Sequence, residues 1–77
     1  MVTATHQSSI ETRNLRLIRL GQVMTKTGMG RSWIYQSIKN GSFPKPISIS
    51  GAHAVAWVEH EIEGWIESRI TASRQSV

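Results

Sequence analysis

Five side chains within nine positions, Arg31, Ser32, Tyr35, Gln36 and Lys39, are of the types that bind a polyanion and read what it carries. Arginine presents a rigid fork of N–H donors that matches paired acceptors, such as guanine O6 and N7 or two phosphate oxygens. The Gln36 amide sets a donor beside an acceptor and fits adenine N6 and N7 in the same bidentate manner. Ser32 and Tyr35 offer hydroxyls that reach phosphate or a base edge. Lys39 is a point charge suited to phosphate, as are Lys45 and Arg19 outside this segment. Several have a plainer alternative: Arg31 a surface residue at a helix start, Tyr35 a core ring, the lysines and Arg19 solvated charges.

The surrounding charge favours the first set of readings. Between Glu11 and Glu59 there are seven basic residues, Arg13, Arg16, Arg19, Lys26, Arg31, Lys39 and Lys45, and no acidic one. Glu59, Glu61, Glu63 and Glu67 then follow close together. A one-sign field suits a polyanion partner, with an acidic helix turned away from it. Other chemistries lack their residues. The glutamates crowd one helix start instead of flanking a cleft, and no Ser/His/Asp set or phosphate loop is present, so an enzyme is not expected. Cysteine is absent and His53 and His60 have no metal-ligand spacing, so neither metal nor other cofactor is expected.

The five residues need a helix, and the sequence supplies one. Ile34 and Ile38 define its buried side at about 100° per residue, which leaves Ser32, Gln36 and Lys39 opposite. Arg31 and Tyr35 lie on one border, Trp33 and Ser37 on the other. Trp33 is read as partly buried against the hairpin or a neighbouring subunit; the alternative is apolar contact with a thymine methyl or a sugar. The helix runs from Arg31 to Lys39 or Asn40, because Asn40-Gly41 is a stop signal and Pro44 and Pro46 bar continuation. Before it, Leu20, Val23, Met24 and Thr27 repeat at helical period and Gly28 ends a first helix. The turn Gly28-Met29-Gly30 joins the two, with Met29 as apolar plug. This is a helix-turn-helix layout.

The flanks complete a small domain. Residues 15–20 read as a short strand or extended lead-in that buries one side. Ile47–Ser50 alternates as a half-buried strand, residues 51–54 make a turn, and Val55–Trp57 returns, giving a two-stranded wing. A third helix runs from about Val58 to Ile70, weakened by Gly64 and by the like-charge pairs 59/63 and 63/67. Phe43 is expected under the wing, and Trp57 and Trp65 in the core. Residues 1–14 read as a disordered arm, 15–70 as one domain and 71–77 as a frayed tail. The fold class is therefore mainly α with a small β-hairpin wing, a winged helix-turn-helix. At 77 residues without cysteine it is near the lower limit for a self-supporting core. No apolar run approaches the roughly 20 residues of a membrane span, and the N-terminus lacks signal-peptide features, so a cytoplasmic protein without a membrane partner is expected.

Leu20-xx-Val23, Thr27-Gly28-Met29-Gly30-Arg31-Ser32, Ile34-Tyr35, Ile38, Gly41, Phe43-Pro44-Lys45-Pro46, Gly51, Val55-x-Trp57 and Glu61-Ile62-xx-Trp65-Ile66, in that order, resemble the AlpA family of prophage regulatory proteins. That family is similar to the excisionase and MerR-type winged helix-turn-helix proteins. The resemblance covers nearly all of residues 15–70. It implies a DNA-binding regulator of prophage or genomic-island genes, or a recombination directionality factor that assists an integrase. The chain departs from the family at three positions: Gly30 replaces a usual Ser, Trp33 a usual small hydroxyl residue, and His53 a frequent wing Arg; by that resemblance His53 is a candidate for phosphate or minor-groove contact, stronger when protonated, and its plainer alternative is an exposed turn residue. Double-stranded DNA is the expected partner, bound by a homodimer or a cooperative oligomer. The rival from another class is a protein-interaction adaptor, which would use Trp33 and the acidic third helix.

Overall fold

The computed structural model describes residues 15–51 and 54–75. The expected N-terminal arm, His53 and the last two residues lie outside that range. The elements are β1 (Leu17–Ile18), α1 (Leu20–Thr27), α2 (Arg31–Lys39), β2 (Ile47–Ser50), β3 (Ala54–Val58) and α3 (Glu59–Gln75). The result is a mainly helical winged helix-turn-helix.

The wing has three strands instead of the expected two. The lead-in before α1 forms β1 and pairs antiparallel with β3, Leu17 opposite Val58 and Ile18 opposite Trp57. β2 pairs with the other edge of β3, giving the order β1-β3-β2. The Glu59 N–H donates to the Arg16 carbonyl at 2.7 Å, fixing where β3 hands over to α3. Every residue of β2 is exposed, so the half-burial expected from its alternation is not found. The helices pack on β3, and β2 lies beyond it at the sheet edge, so Ile47 and Ile49 find no core to enter. The register also slips between Ser48 and Ser50, which breaks the simple alternation of faces.

The core takes one side chain from nearly every segment: Ile18 from β1, Val23 from α1, Ile34 from α2, Phe43 from the following loop, Trp57 from β3 and Ile62 from α3. Burying each such side chain is worth about 1.5–3 kcal/mol, so the small domain depends on all of them. Trp57 is fully buried, and its indole N–H donates to the Pro44 carbonyl at 3.1 Å. No buried side-chain polar atom among the described residues lacks a partner.

The C-terminal ends of α1 and α2 are each set by a glycine. Gly28 takes φ 75° and its N–H donates to the Met24 carbonyl at 2.8 Å, closing α1. Gly41 takes φ 81° after α2. The Gly41 N–H reaches the Ile38 carbonyl at 3.0 Å and the Ser42 N–H reaches Ser37 at 2.9 Å. That pair of bonds is a Schellman turn. It buries Ser37, which the helical wheel had put on the border with Trp33.

The reversal at Gly41 carries the chain back toward α3. The Ser42 carbonyl accepts the Trp65 indole N–H at 2.9 Å. Phe43 is buried, and its ring meets Trp65 edge-on with centroids 4.8 Å apart. Trp33 packs edge-on against both, 6.1 Å from Phe43 and 5.8 Å from Trp65. The ring partners of Trp33 are thus on the α3 side and not on the hairpin. Trp65 itself is half-buried, with Arg69 over its ring at 5.8 Å.

The third helix reaches Gln75, beyond the Ile70 end expected from periodicity, and residues 71–75 are exposed helix. Its Glu59 and Glu63 do not simply repel. Lys26 of α1 lies 3.3 Å from one and 3.1 Å from the other, which offsets their mutual repulsion and ties α1 to α3.

Candidate nucleic-acid interface

Gly30 leads into α2 with extended backbone (φ −83°, ψ 168°) and supplies no side-chain cap. The first turn of α2 holds no acidic residue, and Arg31 stands there instead. A cation at the positive end of a helix dipole costs about 0.3–1 kcal/mol. The first N–H groups are also left without a capping oxygen. This end of α2 therefore favours an anion, and it is exposed.

The sides of α2 are set by aromatic contacts. The Tyr35 ring lies 6.3 Å from Trp57 of β3, so the Arg31–Tyr35 border faces the sheet. Trp33 faces Phe43 and Trp65, so the other border faces α3. Ser32, Gln36 and Lys39 are exposed between these borders, as the wheel placed them. Tyr35 is 43% exposed even with its ring against Trp57. The structure thus brings Arg31, Ser32, Tyr35, Gln36 and Lys39 onto one accessible helix surface. Lys45 is exposed on the loop that leads to β2.

Arg19 stands apart from this set. It precedes α1, where its backbone N–H donates to Gln22 Oε1 at 3.0 Å. Its side chain lines an open groove of about 480 Å³ with Gln22, Thr25, Lys26 and Glu59, to which no α2 residue contributes. His53 lies outside the described residues.

Electrostatics separates the basic residues further. Lys26 had counted toward the one-sign field, but it sits between two carboxylates. Hydrogen bonds first to Glu63 and then to Glu59 hold its pKa above the ordinary 10.5. The three groups together carry one net negative charge, so Lys26 adds nothing to a phosphate-attracting surface. Among the described residues, Arg19, Arg31, Lys39 and Lys45 form no ion pair with a carboxylate. The local sequence pattern missed the Lys26 pairing; the 59/63 glutamate spacing was the signal that a cation lies between them. It gave no sign of the Trp33–Phe43–Trp65 cluster, whose members meet only through the Gly41 reversal.

The chain is similar to known proteins. The family model for the prophage CP4-57 regulatory protein (AlpA) matches residues 16–70. Uncharacterized protein ORF88 of Enterobacteria phage P4 is 37% identical over 60 residues, covering 78% of this chain and 67% of its own length. The DNA-binding transcriptional activator AlpA of Escherichia coli (strain K12) is 36% identical over 61 residues, covering 71% of this chain and 86% of its own length. No solved structure matches the chain. With its helix-turn-helix, its wing and most of its described residues inside the family match, this chain belongs to the AlpA family of prophage regulatory proteins.

Proposed function

We propose that this protein is a sequence-specific DNA-binding regulator of prophage or genomic-island genes. The observation that carries it is the exposed strip of α2, with Arg31 and Lys39 unpaired with acid among the described residues and both aromatic borders held in place. Family membership supports it, as does the E. coli relative's being a DNA-binding transcriptional activator.

In this reading α2 enters the major groove. A helix with side chains is roughly 10–12 Å across, and the groove is about 12 Å wide. Arg31 and Gln36 read base edges, Ser32 and Tyr35 reach a base edge or phosphate, and Lys39 and Lys45 hold phosphates. Arg19, at the start of α1, takes a phosphate where the first helix crosses the backbone. The hairpin, with His53 between its two strands in sequence, touches the adjacent backbone or minor groove. One such module has a small footprint, so paired or repeated sites and a cooperative homodimer or oligomer are part of the proposal. DNA as partner places the protein in the bacterial cytoplasm. No helix among the described residues is long and apolar enough to cross a membrane.

Footprinting across the protein's own genomic neighbourhood tests this. Protection at an upstream promoter supports regulation. Protection beside an integrase attachment region instead assigns the same surface to excision, with an integrase as partner. No protection, together with no salt-dependent retention on heparin or random DNA, would refute DNA binding and favour the adaptor role.

A further inference from the structure

We propose that Trp33 is a DNA-positioning residue: its indole N–H donates to a phosphate oxygen on the groove wall facing the α3 side of α2, and its ring lies on the adjoining sugar. This rests on α2 being the helix that enters the groove.

The three tryptophans differ in one respect. The indole N–H of Trp57 is committed to the Pro44 carbonyl, and that of Trp65 to the Ser42 carbonyl. The N–H of Trp33 has no hydrogen-bond partner among the described residues. Trp33 is also 39% exposed, whereas Trp57 is fully buried. Exposed indoles on a helix surface ordinarily rotate. This one is held by Phe43 (interplanar angle 83°) and Trp65 (65°), and Trp65 is itself anchored to the loop backbone. A donor already held in one orientation loses little freedom on binding.

Its location selects the partner. Trp33 and Tyr35 are separated by about 160° around the helix axis, given about 100° per residue. They stand on opposite borders of the strip formed by Ser32, Gln36 and Lys39. When the strip faces the bases, each border faces one sugar–phosphate wall. The wall beside Trp33 presents an anionic oxygen to its donor and a sugar face to its ring. Indole is a neutral donor without acceptor capacity, so it matches phosphate but displaces no counterion. The contact therefore adds affinity that does not vary with salt, unlike the contacts of Lys39 and Lys45.

Trp33→Phe isolates the N–H, since an aromatic ring still packs on Phe43 and Trp65. Binding of wild type and W33F to labelled duplexes from the genomic neighbourhood is measured by fluorescence anisotropy across a salt series. Thermal melts check that both proteins are equally folded. W33F is expected to bind roughly tenfold more weakly at every salt concentration with unchanged slope, the size of one hydrogen bond to a charged oxygen. Duplexes with single methylphosphonate replacements then locate the contact. One replacement should weaken wild type about tenfold more than it weakens W33F. Equal affinity of the two proteins, or a W33F deficit unaltered by every replacement, overturns the role of Trp33 alone. If wild type binds no duplex, the DNA reading itself falls and the Trp33 proposal with it.

Discussion

Replacing Lys39 and Lys45 together by alanine should flatten the salt dependence of DNA binding, and replacing Lys26 should not. Each neutralised phosphate contributes about 0.9 to the slope of log K against log salt on duplex DNA. Arg19, Lys39 and Lys45 as the three phosphate contacts give a slope of about −2.7 per bound copy. Between 50 and 200 mM salt the wild type then loses about 40-fold in affinity. Removing two contacts lowers the slope to about −0.9, a loss of only about 3.5-fold over the same range. Lys26 is the internal control. It carries the same charge, but its Nζ lies 3.3 Å and 3.1 Å from the carboxylates of Glu59 and Glu63. Lys26→Ala removes a cation already neutralised within the fold, so its slope should match wild type. The assay is fluorescence anisotropy with one duplex over a salt titration, with circular dichroism confirming that each variant is folded. If Lys26→Ala flattens the slope as much as the double variant, or the double variant keeps the wild-type slope, then reading phosphate contacts from exposure and ion pairing is wrong for this protein.

Three further expectations follow from individual residues. Arg31→Ala should cost about 1–3 kcal/mol of binding and relax preference at one base pair, measured across single-base variants of a protected site; an equal loss on all of them would make Arg31 a phosphate contact only. Gly41→Ala should lower stability by roughly 1–2 kcal/mol, read as a shift in urea midpoint, because φ is 81° there while the space for a methyl group is open. An unshifted midpoint would mean that the left-handed turn is not what holds the end of α2. The third concerns pH. The folded state binds the Lys26 proton more tightly than the unfolded chain does, because the Glu63 and Glu59 carboxylates accept hydrogen bonds from it. Its contribution is therefore fully present below the ordinary value of 10.5 and is lost as pH rises through the higher folded-state value. The stability gap between wild type and Lys26→Met should stay constant near neutrality and close in strongly alkaline solution; a gap that widens with pH would reverse the sign.

The candidate surface was legible because its geometry is local. Placement of Ser32, Gln36 and Lys39 on the open side of α2 follows from helical period alone, once Ile34 and Ile38 are assigned to the core. The limits of both helices in the motif follow from Gly28, Gly41 and the prolines, since backbone conformation there is decided by single residues. Where those rules failed, the deciding contact was distant in sequence. Ile47 and Ile49 alternate like a buried strand, but burial also needs something to cover them, and α1 and α3 sit on β3. Ser37 looks like a border residue until the chain folds back over it at Ser42.

Sequence by itself determined the helix-turn-helix, the polar strip, the basic segment and the kinship with AlpA proteins. All of these reside in short-range pattern or in the order of motifs. Only the tertiary structure decided which charges are free and which way the aromatic borders face. Lys26 is 33 residues from Glu59, yet Glu59 lies within hydrogen-bond reach of it. Trp33 is held by Phe43 and by Trp65 from the far end of the domain. Charge pairing and ring packing depend on distance in space, and a periodicity along the chain carries no information about which remote element will arrive beside it.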